Sequence, residues 1–134
     1  MARASTVSLS DARDRRILLV DDEQFLLDLV REILEEAGYR VTALANSVEA
    51  LRLFSTSPSE FDLVVADEKM PGLSGTDLSE KILQVRPDVP VILHTDYPDA
   101  ASAKRAQAVG VRAIVGKSCN MKALITHIRQ LLGS

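Results

Sequence analysis

A chain of 134 residues, 46% hydrophobic and 26% charged, has the size and composition of one globular domain with its own core, and two domains would not fit comfortably. The formal net charge is −3 and the Lys and Arg residues are scattered rather than gathered into a stripe, which argues against direct nucleic-acid binding. No apolar run reaches the roughly 20 residues of a spanning helix, the start lacks the apolar centre of a secretory signal, and the single cysteine, Cys119, cannot form an internal disulfide; the expectation is a cytoplasmic protein without a membrane contact of its own.

In chain order, residues 1–14 mix Ala, Ser, Arg and Asp with little apolar periodicity and read as a flexible N-terminal arm or linker, leaving 15–134 as the domain. From Arg16 onward, short aliphatic runs alternate five times with longer segments of helical period. The runs are Ile17 to Val20, Arg40 to Leu44, Leu63 to Ala66, Val91 to His94 and Ala113 to Val115. Most are continuously apolar, as strands covered on both faces must be. Between the first two, Gln24 to Ala37 predicts a helix whose stripe is Leu26, Val30, Ile33 and Ala37, with Asp28, Arg31, Glu32 and Glu35 off it, and Gly38 ends it. Further helices are predicted over Ser47 to Ser55, Gly75 to Val85, Asp99 to Val109 and Asn120 to Leu132. The last has a core face of Met121, Leu124, Ile125, Ile128 and Leu132. The fourth is alanine-rich, so it buries little area and should be the most loosely held. All five prolines fall in loops.

This alternation predicts an α/β fold, a parallel sheet with helices on both faces. In such sheets ligands bind outside the carboxyl ends of the strands. Asp21, Asp22 and Glu23 follow the first strand, Asp67 the third, Thr95 the fourth, and Gly116 and Lys117 the fifth. Two carboxylates about 5 Å apart repel by roughly 3 kcal/mol at an effective dielectric near 20, so three together raise their pKa values or recruit a cation. An all-oxygen ligand set suits Mg²⁺, which keeps several waters and leaves room for phosphate. A carboxylate such as Asp67 can then act as a nucleophile toward phosphorus, with Lys117 and Thr95 as donors to the phosphoryl oxygens.

The runs "ILLVDDE" (Ile17 to Glu23), "FDLVVADEKMPGLSG" (Phe61 to Gly75) and "VILHT" (Val91 to Thr95), with Lys117 after a fifth strand, resemble the receiver domains of bacterial response regulators and hybrid histidine kinases. The gaps of 45 residues from Asp22 to Asp67, 28 to Thr95 and 22 to Lys117 suit that family, and Pro71 four residues after Asp67 is the most specific local feature. The resemblance implies a doubly wound five-stranded sheet of order 2-1-3-4-5. It implies Asp67 as phosphoacceptor, Mg²⁺ bound by Asp22 and Asp67 directly, by Asp21 through water and by the backbone carbonyl of Lys69, and Thr95 and Lys117 on the phosphoryl group. The module would be a self-phosphorylating and self-dephosphorylating acceptor rather than a turnover enzyme. Its implied partners are a histidine kinase or phosphotransfer protein, with an output domain or downstream protein, and a homodimer is left open. The "MKAL" stretch, Met121 to Leu124, is closer to the hybrid-kinase type.

Three residues depart from the family pattern. Ser118 stands where a proline usually follows the lysine. A cis bond to a non-proline residue costs about 2.5–4 kcal/mol, so a trans bond is expected, with Lys117 re-aimed or the following loop rearranged. Ile114 replaces the usual aromatic switch residue, which weakens coupling between Thr95 and the fourth helix or shifts it to another side chain. Asp96 opposes phosphorylation unless it points away or meets Lys69 or Lys117, while Lys69 and Tyr97 hold the positions that tune acyl-phosphate lifetime. These departures support one alternative, a degenerate receiver acting as a phosphorylation-independent protein-binding module. A Mg²⁺ phosphatase is a second, for which the first strand would need a D-x-D ending. Blander roles remain residue by residue: Asp22 or Asp99 as helix caps, Lys117 as a solvated strand-end lysine, His94 as a core histidine, His127 on the polar side of the last helix and Cys119 as an incidental small side chain.

Overall fold

Continuous apolar strands must be covered on both sides, and this chain covers one face with its first and last helices and the other with the three between them. The computed structural model describes residues 14–96, 99–117 and 121–133. The readings of an N-terminal arm over its first thirteen residues, of Tyr97, and of Ser118, Cys119 and the Lys117–Ser118 bond lie outside the described residues. The strands are β1 (Arg16–Val20), β2 (Arg40–Leu44), β3 (Leu63–Ala66), β4 (Val91–Thr95) and β5 (Ala113–Gly116). All pair in parallel, in the order β2-β1-β3-β4-β5 that the family resemblance implied.

The helices are α1 (Gln24–Glu36), α2 (Ser47–Thr56), α3 (Gly75–Val85), α4 (Ala100–Val109) and α5 (Met121–Leu132), with one 3-10 turn at Pro58–Glu60. Strand side chains alternate between two core layers, as the pleat requires. Leu18, Val20, Val64, Ala66, Val91 and Leu93 face α2, α3 and α4, where they meet Ala50, Phe54, Leu78, Ile82 and Ala106. Ile17, Leu19, Leu63, Val65, Ile92 and Val115 face α1 and α5, against Leu27, Val30, Leu34, Leu124, Ile128 and Leu132.

The stripe expected on α1 is corrected. Leu27, Val30 and Leu34 are the buried positions, while Leu26, Ile33 and Ala37 are only half-buried. The doublets Leu26–Leu27 and Ile33–Leu34 give the helix an apolar arc wider than its contact, so the sequence leaves the roll open. The helix end selects it: Tyr39 N–H donates to Leu34 O (3.1 Å) and Gly38 N–H to Glu35 O (3.0 Å), a Schellman closure that Gly38 permits at φ 106°. Buried Tyr39 thereby joins the layer that holds Leu34 and draws the Leu27 side onto the sheet.

At the other helices, Asn46 caps α2, Ser74 caps α3 and Asp99 caps α4, each accepting a backbone N–H three residues on. Asp99 is thus a cap, as its blander reading had it. The expectation for α4 also holds in its burial, since Ala106 is its one buried residue.

Candidate functional site

The strand register brings distant residues to one rim. Val20 pairs with Ala66, and Asp67 N–H continues the ladder to Val20 O at 2.9 Å, so Asp21 and Asp67 emerge side by side. On the other side of β3, Thr95 pairs with Gly116 and its carbonyl accepts the Lys117 N–H at 2.8 Å. Carboxylate oxygens of Asp21, Asp22 and Asp67 lie within 4.8 Å of one another. Asp21 and Asp67 are buried and Asp22 is exposed. Glu23 N–H donates to Asp21 Oδ1 (2.9 Å), which fixes that carboxylate and turns its second oxygen toward Lys117.

Lys117 is the centre of the cluster. Its Nζ lies 2.8 Å from Asp21 Oδ2, 3.3 Å from Asp67 Oδ1 and 3.7 Å from Glu23 Oε1, with its side chain only 6% exposed. The solvated-lysine reading is therefore overturned: the side chain is directed into the acidic cluster, and the loop after it, the other half of the expectation raised by Ser118, lies outside the described residues. Opposite charge holds the ammonium among these carboxylates, with Asp21 the nearest. Burial disfavours its charged form, but Asp21 and then Asp67 outweigh that and raise its pKa above the ordinary lysine value. At Asp67, burial pushes the carboxyl up to about 6; Lys117 opposes the rise and the Asp21 charge adds to it. His94, a buried residue on β4, has its imidazole pushed down to about 4, first by burial and then by the Lys117 charge, as befits a neutral core histidine.

The loop after Asp67 is pinned by close backbone approach. A Cβ on Gly75 would stand 2.3 Å from the Asp67 carbonyl oxygen and 2.8 Å from Leu93 Cδ2, so only glycine lets α3 start there. Gly75 N–H donates to Glu68 O (2.9 Å), and Glu68 Oε1 accepts from both the N–H and the hydroxyl of Thr76 at 2.8 Å each. From α2, buried Ser47 donates to Pro71 O and accepts from Leu73 N–H, both at 2.9 Å. Sequence reading missed Glu68 and Ser47 in these roles. Neither carries a spacing signal, because each works only once the loop has folded back on it.

Asp22, Glu23, Asp67, Lys69, Thr95 and Asp96 line a cavity of about 320 Å³ open to solvent over the cluster. Every described residue predicted for the site is thus on this rim or, for Asp21 and Lys117, against Asp67. Asp22 does not cap α1, whose N-cap position is Glu23 without a side-chain cap bond. Asp96 is exposed on the cavity wall, with no ion pair or hydrogen bond among the described residues. Ile114 on β5 lines a small cavity of about 50 Å³ together with Thr95 of β4 and Ser102 and Ala103 of α4. The carboxylates fit a hard divalent cation: three oxygens converge, and the single buried cation near them leaves an excess of negative charge.

Comparison with known proteins agrees with this geometry. The family model described as the response regulator receiver domain matches residues 17–129. The C4-dicarboxylate transport transcriptional regulatory protein DctD of Rhizobium meliloti (strain 1021) is 32% identical over 114 residues, which are 85% of this chain and 24% of that protein. The chain thus spans about a quarter of that relative's length. Among solved structures, a response regulator receiver domain protein from Clostridium thermocellum superposes with a TM-score of 0.85 at 31% identity, covering 90% of this chain and 95% of that one. The response regulator protein TrrA from Thermotoga maritima, in complex with Mg(2+)-BeF, gives 0.80 at 33% identity over 88% and 99%. With a family match over most of its length and the same sheet order, this chain belongs to the response regulator receiver domains.

Proposed function

We propose that the chain accepts a phosphoryl group from a phosphohistidine donor onto Asp67 and relays the signal by a change of shape. The observation that carries this reading is the meeting of Asp21, Asp22 and Asp67 within 4.8 Å beside the buried ammonium of Lys117. Asp22 and Asp67 would hold Mg²⁺ directly, Asp21 through water, and the Lys69 carbonyl would complete the protein's share. When bound, the cation supplies positive charge that ionises Asp67 and offsets the oxygens of the incoming phosphoryl group. The TrrA relative's Mg(2+)-BeF complex supports such a site by likeness.

The chain's own groups then do the following. Asp67 attacks phosphorus, and the phosphorus–nitrogen bond of the donor breaks as the oxygen–phosphorus bond forms. Lys117 pairs with a phosphoryl oxygen. The Thr95 hydroxyl, at the end of the neighbouring strand, donates to another. Because Thr95 shares a cavity wall with Ile114 and α4, its movement would be felt by the one helix that buries a single side chain.

The test is incubation with a small phosphodonor and Mg²⁺, followed by intact-mass analysis. A phosphate-sized gain in the wild type, absent in Asp67→Ala and in the presence of chelator, is the expected result. No gain in the wild type would leave the chain a docking module and sink the proposal.

A further inference from the structure

We propose that Asp96 is a catalytic residue for loss of the phosphoryl group, holding and deprotonating the water that hydrolyses the acyl phosphate on Asp67. The inference rests on the phosphoacceptor reading above and extends it to the reverse half of the cycle.

The sheet order divides the rim into two sides. Asp21 and Asp22, the cation side, follow β1 on one flank of β3, and Thr95 and Asp96 end β4 on the other. Asp96 therefore stands across the acceptor from the acidic cluster and is absent from it. It is a wall of the same cavity, is exposed, and is tied up by no cation or donor among the described residues. That combination leaves the carboxylate facing the cavity and able to accept a proton from solvent water.

Hydrolysis needs a water in line with the Asp67 oxygen–phosphorus bond, on the solvent side of the phosphoryl group. With Asp67 buried at the floor, that position is the cavity mouth, where exposed carboxylates reach and buried ones do not. The cavity, about 320 Å³, has room for a phosphoryl group and several waters, a liquid water occupying about 30 Å³. In the step itself the water oxygen bonds to phosphorus, the bond from phosphorus to Asp67 breaks, and Asp67 departs as a carboxylate. The water's proton passes to Asp96 and then to solvent, and inorganic phosphate leaves.

Lys69 lines the same cavity but, as a cation, can only hold phosphate oxygens. Glu23 is also exposed on the rim, yet it lies 3.7 Å from Lys117 on the cation flank. Among the described residues, Asp96 is thus the rim carboxylate that is both unpaired and remote from the cation side.

The experiment follows decay of the mass-labelled chain after the phosphodonor is removed by desalting, in saturating Mg²⁺, for wild type, Asp96→Asn and Asp96→Glu. General-base and water-positioning groups contribute about 10²–10⁴-fold when proton transfer limits the rate. Phosphoryl transfer is loose enough that about tenfold slower decay is expected for Asp96→Asn. Asp96→Glu, which keeps the carboxylate, should recover most of the rate. Equal or faster decay in Asp96→Asn, or failure of Asp96→Glu to rescue, overturns the role of Asp96 while leaving Asp67 the acceptor. Absence of label on the wild type overturns both readings.

Discussion

At the scale of single residues, two buried groups make opposite demands on pH. The unfolded chain ionises Asp67 near its ordinary value of 3.8, whereas the fold retains the proton to about 6. Stability therefore falls as pH rises through that window, by about 3 kcal/mol in all. His94 works the other way. Its pKa of about 4 in the fold, against 6.5 unfolded, means that stability is lost as pH falls through that range, again by about 3 kcal/mol. The two slopes largely offset one another. Replacing Asp67 by Asn removes one of them, so urea unfolding should show Asp67→Asn more stable than wild type at pH 7 and losing more of its stability between pH 7 and 4.5. Parallel pH profiles would contradict the burial argument. Mg²⁺ affinity should also weaken as pH drops below about 6, with proton release on binding seen by calorimetry in buffers of differing ionisation enthalpy. Truncating Lys117 to Met leaves buried Asp21 and Asp67 without their cation. A loss on the order of 3 kcal/mol is expected in metal-free buffer, much of it recovered by Mg²⁺.

At the scale of elements, the segment from Asp67 to α3 behaves as one piece. Gly75→Ala forces a Cβ into the Asp67 carbonyl, so a loss of more than about 2 kcal/mol is expected by urea unfolding, along with slower labelling of a displaced Asp67. Next to it, α4 has little to hold it besides its cap and the Arg105–Asp77 pair, 2.6 Å between Nη2 and Oδ1. Both partners are about half exposed, so Arg105→Ala should cost no more than about 1 kcal/mol of global stability. It should nonetheless speed amide exchange within Ala100–Val109, because a helix that buries only Ala106 lives on such small terms. Boundaries of elements were legible from the chain itself, since Asn46, Ser74 and Asp99 are side chains that cap by local chemistry. The roll of α1 was not, because Leu26 and Leu27 are equally apolar and only the closure through Gly38 and Tyr39 distinguishes them. Nor was the turn Pro58–Glu60. Arg86 donates to the carbonyls of Pro58 and Phe61, and a contact spanning so many residues leaves no periodic trace.

At the scale of the whole molecule, the five-strand alternation was readable because buried parallel strands are uniformly apolar, and the acidic side chains stood out because they interrupt that pattern where a strand ends. Asp22, Asp67, Thr95 and Lys117 are far apart along the chain, yet parallel pairing in the order β2-β1-β3-β4-β5 sends all of their strands' carboxyl ends the same way. What the sequence left open was direction within the cluster. The charges of Asp21 and Asp67 direct Lys117, while the loop after it, for whose rearrangement Ser118 was the sequence signal, lies outside the described residues. Among the described residues no helix is long and apolar enough to cross a membrane.

The position of Lys117 has one further consequence. Proteins whose acidic clusters lack an internal counter-charge come apart when their ion is stripped, since the carboxylates repel. Here an ammonium already resides among them, as a resident substitute for the mobile ion. The domain should accordingly keep its melting temperature within a few degrees when chelator is added, and only Lys117→Met should become strongly dependent on Mg²⁺ for its fold. A domain built this way keeps its fold in either ionic condition.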